Sequence, residues 1–191
     1  MLPADQATTK GAILRGLLKF LQSDLTSEQY EHAVAALPSA DQAVVRQRSI
    51  LPSQKVSEFI LNRLTVEAAK VKGENIDKFG RRAGAAELRE SVGIYRFITF
   101  VLTPPALLKK ASTIWSTVHS HGALTVVEQT ENSARVRLTD FPSEEANCSR
   151  ITGWMEGLGT MTGVRNTLAV HDLCMTRGAK ACEWLVSWTK K

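Results

Sequence analysis

The stretch HDLCMTRGAKACEW, residues 171–184, holds two of the three cysteines of a 191-residue chain, Cys174 and Cys182, with seven residues between them. His171 stands three positions before the first, and Gly178 lies midway. Thiolate and imidazole are the ligands that zinc and similar ions take, and three cysteines with one histidine make a familiar closed shell. Cys174 and Cys182 flank the loop between two strands that should pair. Opposite residues in such a pair have Cβ atoms roughly 4.5–5.5 Å apart, so the two sulfurs can meet. Cys148, at the start of the preceding helix, can approach the same sheet edge, and His171 completes the set. On a regular pleat, however, His171 and Cys174 point to opposite faces, so a shared ion requires the strand to bulge or end near Leu173. The spacing also lacks the tight Cys-x-x-Cys of zinc ribbons. Buried structural thiols, which pack as small hydrophobes, and a regulatory disulfide are the other readings that the residue types leave open.

Other residues with chemical potential are less organised. His119 and His121 flank the end of a helix beside Gly122. They could donate to a ligand or exchange protons, although histidines in such places are usually exposed helix caps. No serine or cysteine has an evident base beside it. GWMEGLG lies inside a helix and not after a strand, so it is no dinucleotide fingerprint. Arg46, Arg48, Arg81, Arg82 and Arg89 form an anion-binding surface only if the fold gathers them. An enzyme is therefore the least supported class.

The elements that must position these residues follow from periodicity. Ile13, Leu14, Leu17, Leu18 and Leu21 make an apolar stripe at helical spacing over 11–23. Short helices are predicted from Thr26 to Pro38 and from Ser39 to Arg48. A longer one is capped by Pro52-Ser53, buries Val56, Phe59, Ile60, Leu64 and Ala68, and is broken by Gly73. Residues 74–102 read as one long helix or two stacked ones, and Pro104-Pro105 opens another that runs to about His119. The period then changes. Ala123–Thr130 and Ala134–Thr139 alternate around a polar turn, which predicts a hairpin. A helix follows from Pro142 to about Gly163, then strands at 167–174 and 181–188. The expected fold class is α+β: a helical N-terminal layer on a roughly four-stranded antiparallel sheet, ordered helices then ββαββ. Residues 1–191 are expected to form a single domain, with 1–120 mainly helical and 121–191 carrying the ββαββ part.

Bulk composition narrows the class. Hydrophobic residues make up 43% and charged residues 23%, a normal soluble balance with enough apolar material for a core. The net charge of +5 is modest, and the basic residues are scattered, so no nucleic-acid partner is predicted. No stretch offers the roughly 18 apolar residues of a membrane span. With no export signal and an odd cysteine count, a reducing cytoplasmic setting is expected.

From Phe141 onward the chain resembles the 4-vinyl reductase domain family, small-molecule sensing domains of bacteria. The residues that carry the resemblance are Cys148 ahead of the glycine-containing helix GWMEGLGTMTGV, the Cys-x-x-x-Gly-x-x-x-Cys of Cys174, Gly178 and Cys182, and Trp184 two residues on. The order of elements is also similar to that of a paralogous myxobacterial set with this domain. The resemblance is specific over 141–188 and weak over the first 120 residues. It implies a fold shared with vesicle-tethering TRAPP subunits and distantly related to haem-nitric-oxide sensors. It further implies a zinc ion held by Cys148, Cys174 and Cys182, with His171 where the family places a carboxylate. Haem is not expected, because neither Tyr30 nor Tyr95 begins a Tyr-x-Ser-x-Arg motif.

These readings lead to a non-enzymatic sensor that binds a small apolar molecule between helices and sheet and carries structural zinc. Its candidate ligand-binding residues are Phe97, Phe100, Val101, Trp115, Val118, Trp154, Met155 and Leu158. The alternative is an interaction adaptor that forms a homodimer through the Ala12–Leu21 helix or contacts a signalling partner protein.

Overall fold

The computed structural model describes residues 6–91 and 104–189. Two layers result from two hydrophobic clusters. The first is helical. Helix α1 (Gly11–Asp24) buries Ile13, Leu14, Leu17 and Leu21, and packs with α2 (Ser27–Ala35), α3 (Ser39–Val45), α4 (Glu58–Lys72) and α5 (Ile76–Ser91) around Leu61, Leu64 and Phe79. The apolar stripe of α1, on which the Ala12–Leu21 dimer seam is expected, thus packs on its own core.

Local chemistry fixes most boundaries. Thr26 and Gln29 form a reciprocal capping box at the start of α2. Gly73, at φ 68°, closes α4 in the left-handed conformation that glycine adopts without strain. The segment after Pro52-Ser53 departs from its predicted helix. Lys55–Ser57 form strand β2, which pairs antiparallel with β1 (Thr8–Lys10), and Ser57 rather than Pro52-Ser53 caps α4. Pairing with Thr9 wins over helix propensity at Val56, whose side chain is buried. The predicted helix from Pro104 divides into α6 (Pro104–Leu108) and α7 (Ala111–Val118).

The second layer is a four-stranded antiparallel sheet in the order β3-β4-β6-β5. Its strands are β3 (Ala123–Gln129), β4 (Ser133–Thr139), β5 (Arg165–Leu173) and β6 (Cys182–Thr189). Helix α8 (Glu145–Met161) lies between β4 and β5 in sequence and covers the sheet's inner face. Cys182, Trp184, Val186 and Trp188 of β6 are buried on that face, as alternation predicts. Helix α8 also crosses α5 with backbones in near contact. A Cβ at Gly84 would lie 1.9 Å from the Arg150 carbonyl oxygen, and one at Gly153 would lie 2.0 Å from that of Arg81. Among the described residues no helix is long and apolar enough to cross a membrane.

Candidate functional site

Two features sit against opposite ends of α8. The first is the thiol–imidazole cluster. Cys148 lies in the first turn of α8, Cys182 opens β6, and Cys174 follows β5 just before a 3-10 turn at Met175–Arg177. The strand meets the condition that the sequence sets. Register shifts between His171 and Leu173, leaving Asp172 as the extra residue, and β5 ends at Leu173. That bulge turns the His171 ring and the Cys174 sulfur to the same side. Cys174 and Cys182 lie one step beyond the last ladder pair, Leu173 with Glu183, so the same register sets them opposite each other at the mouth of the turn.

The Cys148 sulfur is 3.9 Å from those of Cys174 and Cys182, and one ligand atom from each of the four residues lies within 4.8 Å of the others. In a regular tetrahedron with those sulfur spacings the centre stands about 2.4 Å from each corner, close to a metal–thiolate bond of about 2.3 Å. All three cysteines are free and buried. His171 stacks on Trp184 at 4.4 Å, and its Nε2 is a buried polar atom with no hydrogen-bond partner, the condition of an imidazole placed to coordinate. The Met175 N–H donates to the Cys182 sulfur at 3.4 Å, and Ser143 and Thr176 hydroxyls lie 3.3 and 2.9 Å from the sulfurs of Cys182 and Cys174. The hydrogen bond with Cys148, followed by His171, Ser143 and the Met175 N–H, holds the Cys182 thiol well below its usual range against the opposing effect of burial. The same bond and burial push Cys148 up. These are donor properties suited to a cation, and the four residues could hold a metal ion.

The second feature is a cavity of about 100 Å³ between helices and sheet. Trp115 and Val118 of α7, Trp154, Met155 and Leu158 of α8, and Trp188 of β6 supply much of its wall. Five of the eight predicted ligand-binding residues therefore meet on one cavity. Phe97, Phe100 and Val101 lie outside the described residues. A smaller lobe of about 50 Å³ shares Trp115, His119, Leu124, Trp154, Met155 and Leu158 with it and adds Glu87, Asn147 and Arg150.

Behind that lobe is a buried polar network that composition did not disclose. Arg150 donates to both carboxylate oxygens of Glu87 at 2.7 and 3.1 Å and to Asn62 Oδ1 at 3.1 Å. The Trp154 indole N–H donates to Glu87 at 3.2 Å. His119 Nδ1 is 2.6 Å from Glu58 Oε1, and the ring stacks on Trp115 at 4.0 Å. His119 thus stands at the C-cap of α7, but its side chain is a mostly buried bridge and not an exposed one. Burial raises the Glu58 carboxyl, but His119 and then Arg150 outweigh it and hold the group below its usual range. For Glu87, burial outweighs Arg150 and the carboxyl is raised. The only signal for these residues in the sequence is charge inside otherwise apolar helical faces, as at Glu58 beside Phe59 and Ile60. The arginine surface does not assemble. Arg46 pairs with Glu31, Arg81 with Asp77 and Glu156, and Arg82 with Asp24 and Glu74.

No family model and no curated protein matches the sequence. Among solved structures, the chain is similar to an H-NOX protein from S. oneidensis in the Fe(II)NO ligation state. The identity is 13% and the TM-score 0.73, with 95% of this chain and 99% of that one covered. It is also similar to the Fe(II) unliganded H-NOX protein from K. algicida, at 11% identity and TM-score 0.73, covering 95% and 97%. A third is an oxygen-binding H-NOX domain related to soluble guanylate cyclases, in its oxygen complex, at 12% identity and TM-score 0.65, covering 94% of each chain. At these identities the likeness shows the fold. It corrects the family expectation: the architecture matches H-NOX structures, not 4-vinyl reductase domains. Structural zinc is corrected with it. That assignment gained its weight from the family resemblance, whereas the fold's solved members named here are iron or gas-ligated proteins, and a cluster of sulfur and imidazole donors does not by itself single out one first-row ion.

Haem, the group that the fold suggests, does not fit the described cavity. A cavity of about 100 Å³ is a fraction of the volume a macrocycle needs, because three tryptophans, Trp115, Trp154 and Trp188, occupy the wall. The Glu58–His119 bond would orient an axial ligand well, but the ring lies flat against Trp115. Among the described residues the large lobe's wall carries no lysine or arginine to meet propionates, and Arg150 of the small lobe is already paired with Glu87.

Proposed function

We propose that this chain is a non-enzymatic sensor domain of a signalling system, which binds a small apolar molecule in the cavity between α6–α8 and the sheet. The observation that carries this reading is the cavity itself: it is apolar, its walls come from helices α6–α8 and from the sheet, and its size suits a molecule of a few heavy atoms. Engineered cavities of about 150 Å³ with similar walls hold benzene or xenon. Because the walls belong to different elements, occupancy would change the balance between alternative spacings of helices and sheet, and so the affinity for a partner.

In the same proposal, Cys148, His171, Cys174 and Cys182 hold one thiophilic metal ion. All four positions are filled by protein ligands, so the ion would be structural, tying the β5–β6 turn to the start of α8. A second reading, an interaction module, is favoured by the exposed Leu168, Val170, Leu173 and Leu185 on the outer face of β5 and β6. That face is its contact surface.

The test is titration of the protein with methylcyclohexane, followed by fluorescence of the cavity tryptophans. A saturable response that is lost in Leu158→Trp supports the sensor reading. Folded protein that shows no saturable response contradicts it.

A further inference from the structure

The two lobes behind α7 and α8 differ in character, and that difference specifies a ligand class. The larger lobe is apolar. The smaller one shares its wall and ends on Glu87, Asn147 and Arg150, with His119 at the junction. We infer that the molecule recognised is amphipathic and uncharged: a compact hydrocarbon body in the large lobe and one hydroxyl or carbonyl group in the small one. This rests on the proposed sensor reading and deepens it.

Three observations point to an uncharged polar head. First, the charges near the small lobe are already matched. Arg150 and Glu87 are joined by two hydrogen bonds, and Glu58 meets His119 at 2.6 Å. An ionic head would add a buried charge without a counter-charge, which costs far more than burying a hydrogen-bonded hydroxyl. Second, the polar wall of the small lobe carries both kinds of group. Arg150 is a donor, and the Asn147 amide has an oxygen that accepts and a nitrogen that donates. Together they match a group that can both donate and accept. Third, one ring nitrogen of His119 is held by Glu58, so the other is the polar atom that the ring can offer at the junction of the lobes. Met155 belongs to the shared wall. Its unbranched thioether chain, with three rotatable bonds, is the member best able to swing aside and join them.

The size of the two lobes sets the scale of the probe: cyclohexanol against methylcyclohexane, each with seven heavy atoms. Affinity for each is divided by its partition from water into hexadecane, which removes the plain hydrophobic difference. The normalised affinity of cyclohexanol should exceed that of methylcyclohexane by more than about tenfold, because hexadecane offers a hydroxyl no partner and the lobe does. Ile151 lines the small lobe and not the large one, so Ile151→Phe should remove that preference while methylcyclohexane still binds. A crystal structure with cyclohexanol, its hydroxyl within hydrogen-bond distance of His119, Asn147 or Arg150, gives the same answer without a variant. Equal normalised affinities, or a hydroxyl turned away from the small lobe, would overturn the inference and leave the sensor reading intact. If neither probe binds to folded protein, the sensor reading itself fails.

Discussion

Glu58 and His119 are 61 residues apart, yet Oε1 of one lies 2.6 Å from Nδ1 of the other, with the carboxylate side chain fully buried. The contact ties the first turn of α4 to the end of α7, and so links the helical layer to the wall of the cavity. Its pH dependence has a definite sign. The folded Glu58 carboxyl lies below its usual value, so its contribution is complete above the ordinary carboxylate range and is lost as pH falls through the lowered folded value. Glu58→Gln should cost about 2 kcal/mol in urea unfolding at pH 7, and the gap to the unsubstituted protein should narrow at pH 4 and below. Glu87, which burial raises, acts in the opposite direction, so the difference between the two proteins is the quantity to follow.

Arg150 and Glu87 form a buried ion pair with side-chain exposures of only 4% and 0%. Removing one member strands the other charge in the core. Arg150→Met should therefore cost about 3–5 kcal/mol. The double variant Arg150→Met/Glu87→Leu should be the more stable of the two, because no charge is left unmatched. A double variant as unstable as the single one would mean that the pair's worth lies in packing.

The α5–α8 crossing depends on two glycines. Gly84→Ala and Gly153→Ala would each drive a methyl into a carbonyl oxygen of the opposite helix. Backbone cannot yield as a side-chain tip can, so each should destabilise by about 3 kcal/mol. Gly178, at φ 87° with open space around it, offers a contrast. Gly178→Ala meets only the smaller left-handed penalty of about 1 kcal/mol.

Cys174→Ser and Cys182→Ser should each remove the bound metal. Elemental analysis across the first-row metals, on untagged protein purified without chelators, should find one ion per chain in the parent and less than a tenth of that in either variant. In the parent all three cysteines should resist alkylation until a chelator is added. Three freely alkylated thiols and no stoichiometric metal would leave buried thiols as the reading of the cluster.

Much of this was legible in the sequence because it is written in local spacing. The stripe of α1, the alternation in β6 and the Cys174–Gly178–Cys182 interval each have a direct counterpart in the fold. The requirement for a bulge near Leu173 follows from parity alone, and the shift at Asp172 meets it. Three-residue strands such as β1 and β2 are too short to show a period, so spacing alone places Val56 in a helix. Glu58, Glu87 and Arg150 escaped notice for another reason. A charged residue in a helix is ordinarily solvated, and only the pairing of distant segments makes its burial possible. The family expectation erred because Cys148, Cys174, Gly178 and Cys182 report only on where the β5–β6 turn meets the start of α8, whereas the architecture of the whole chain is set by the packing of all its helices and strands.

The most direct test of the central claim is a crystal structure under xenon pressure. Xenon enters dry apolar cavities and little else. A xenon atom should lie among Trp115, Trp154, Leu158 and Trp188, and none at that place in Leu158→Trp. Well-ordered crystals of the parent protein with no xenon between those side chains would contradict it.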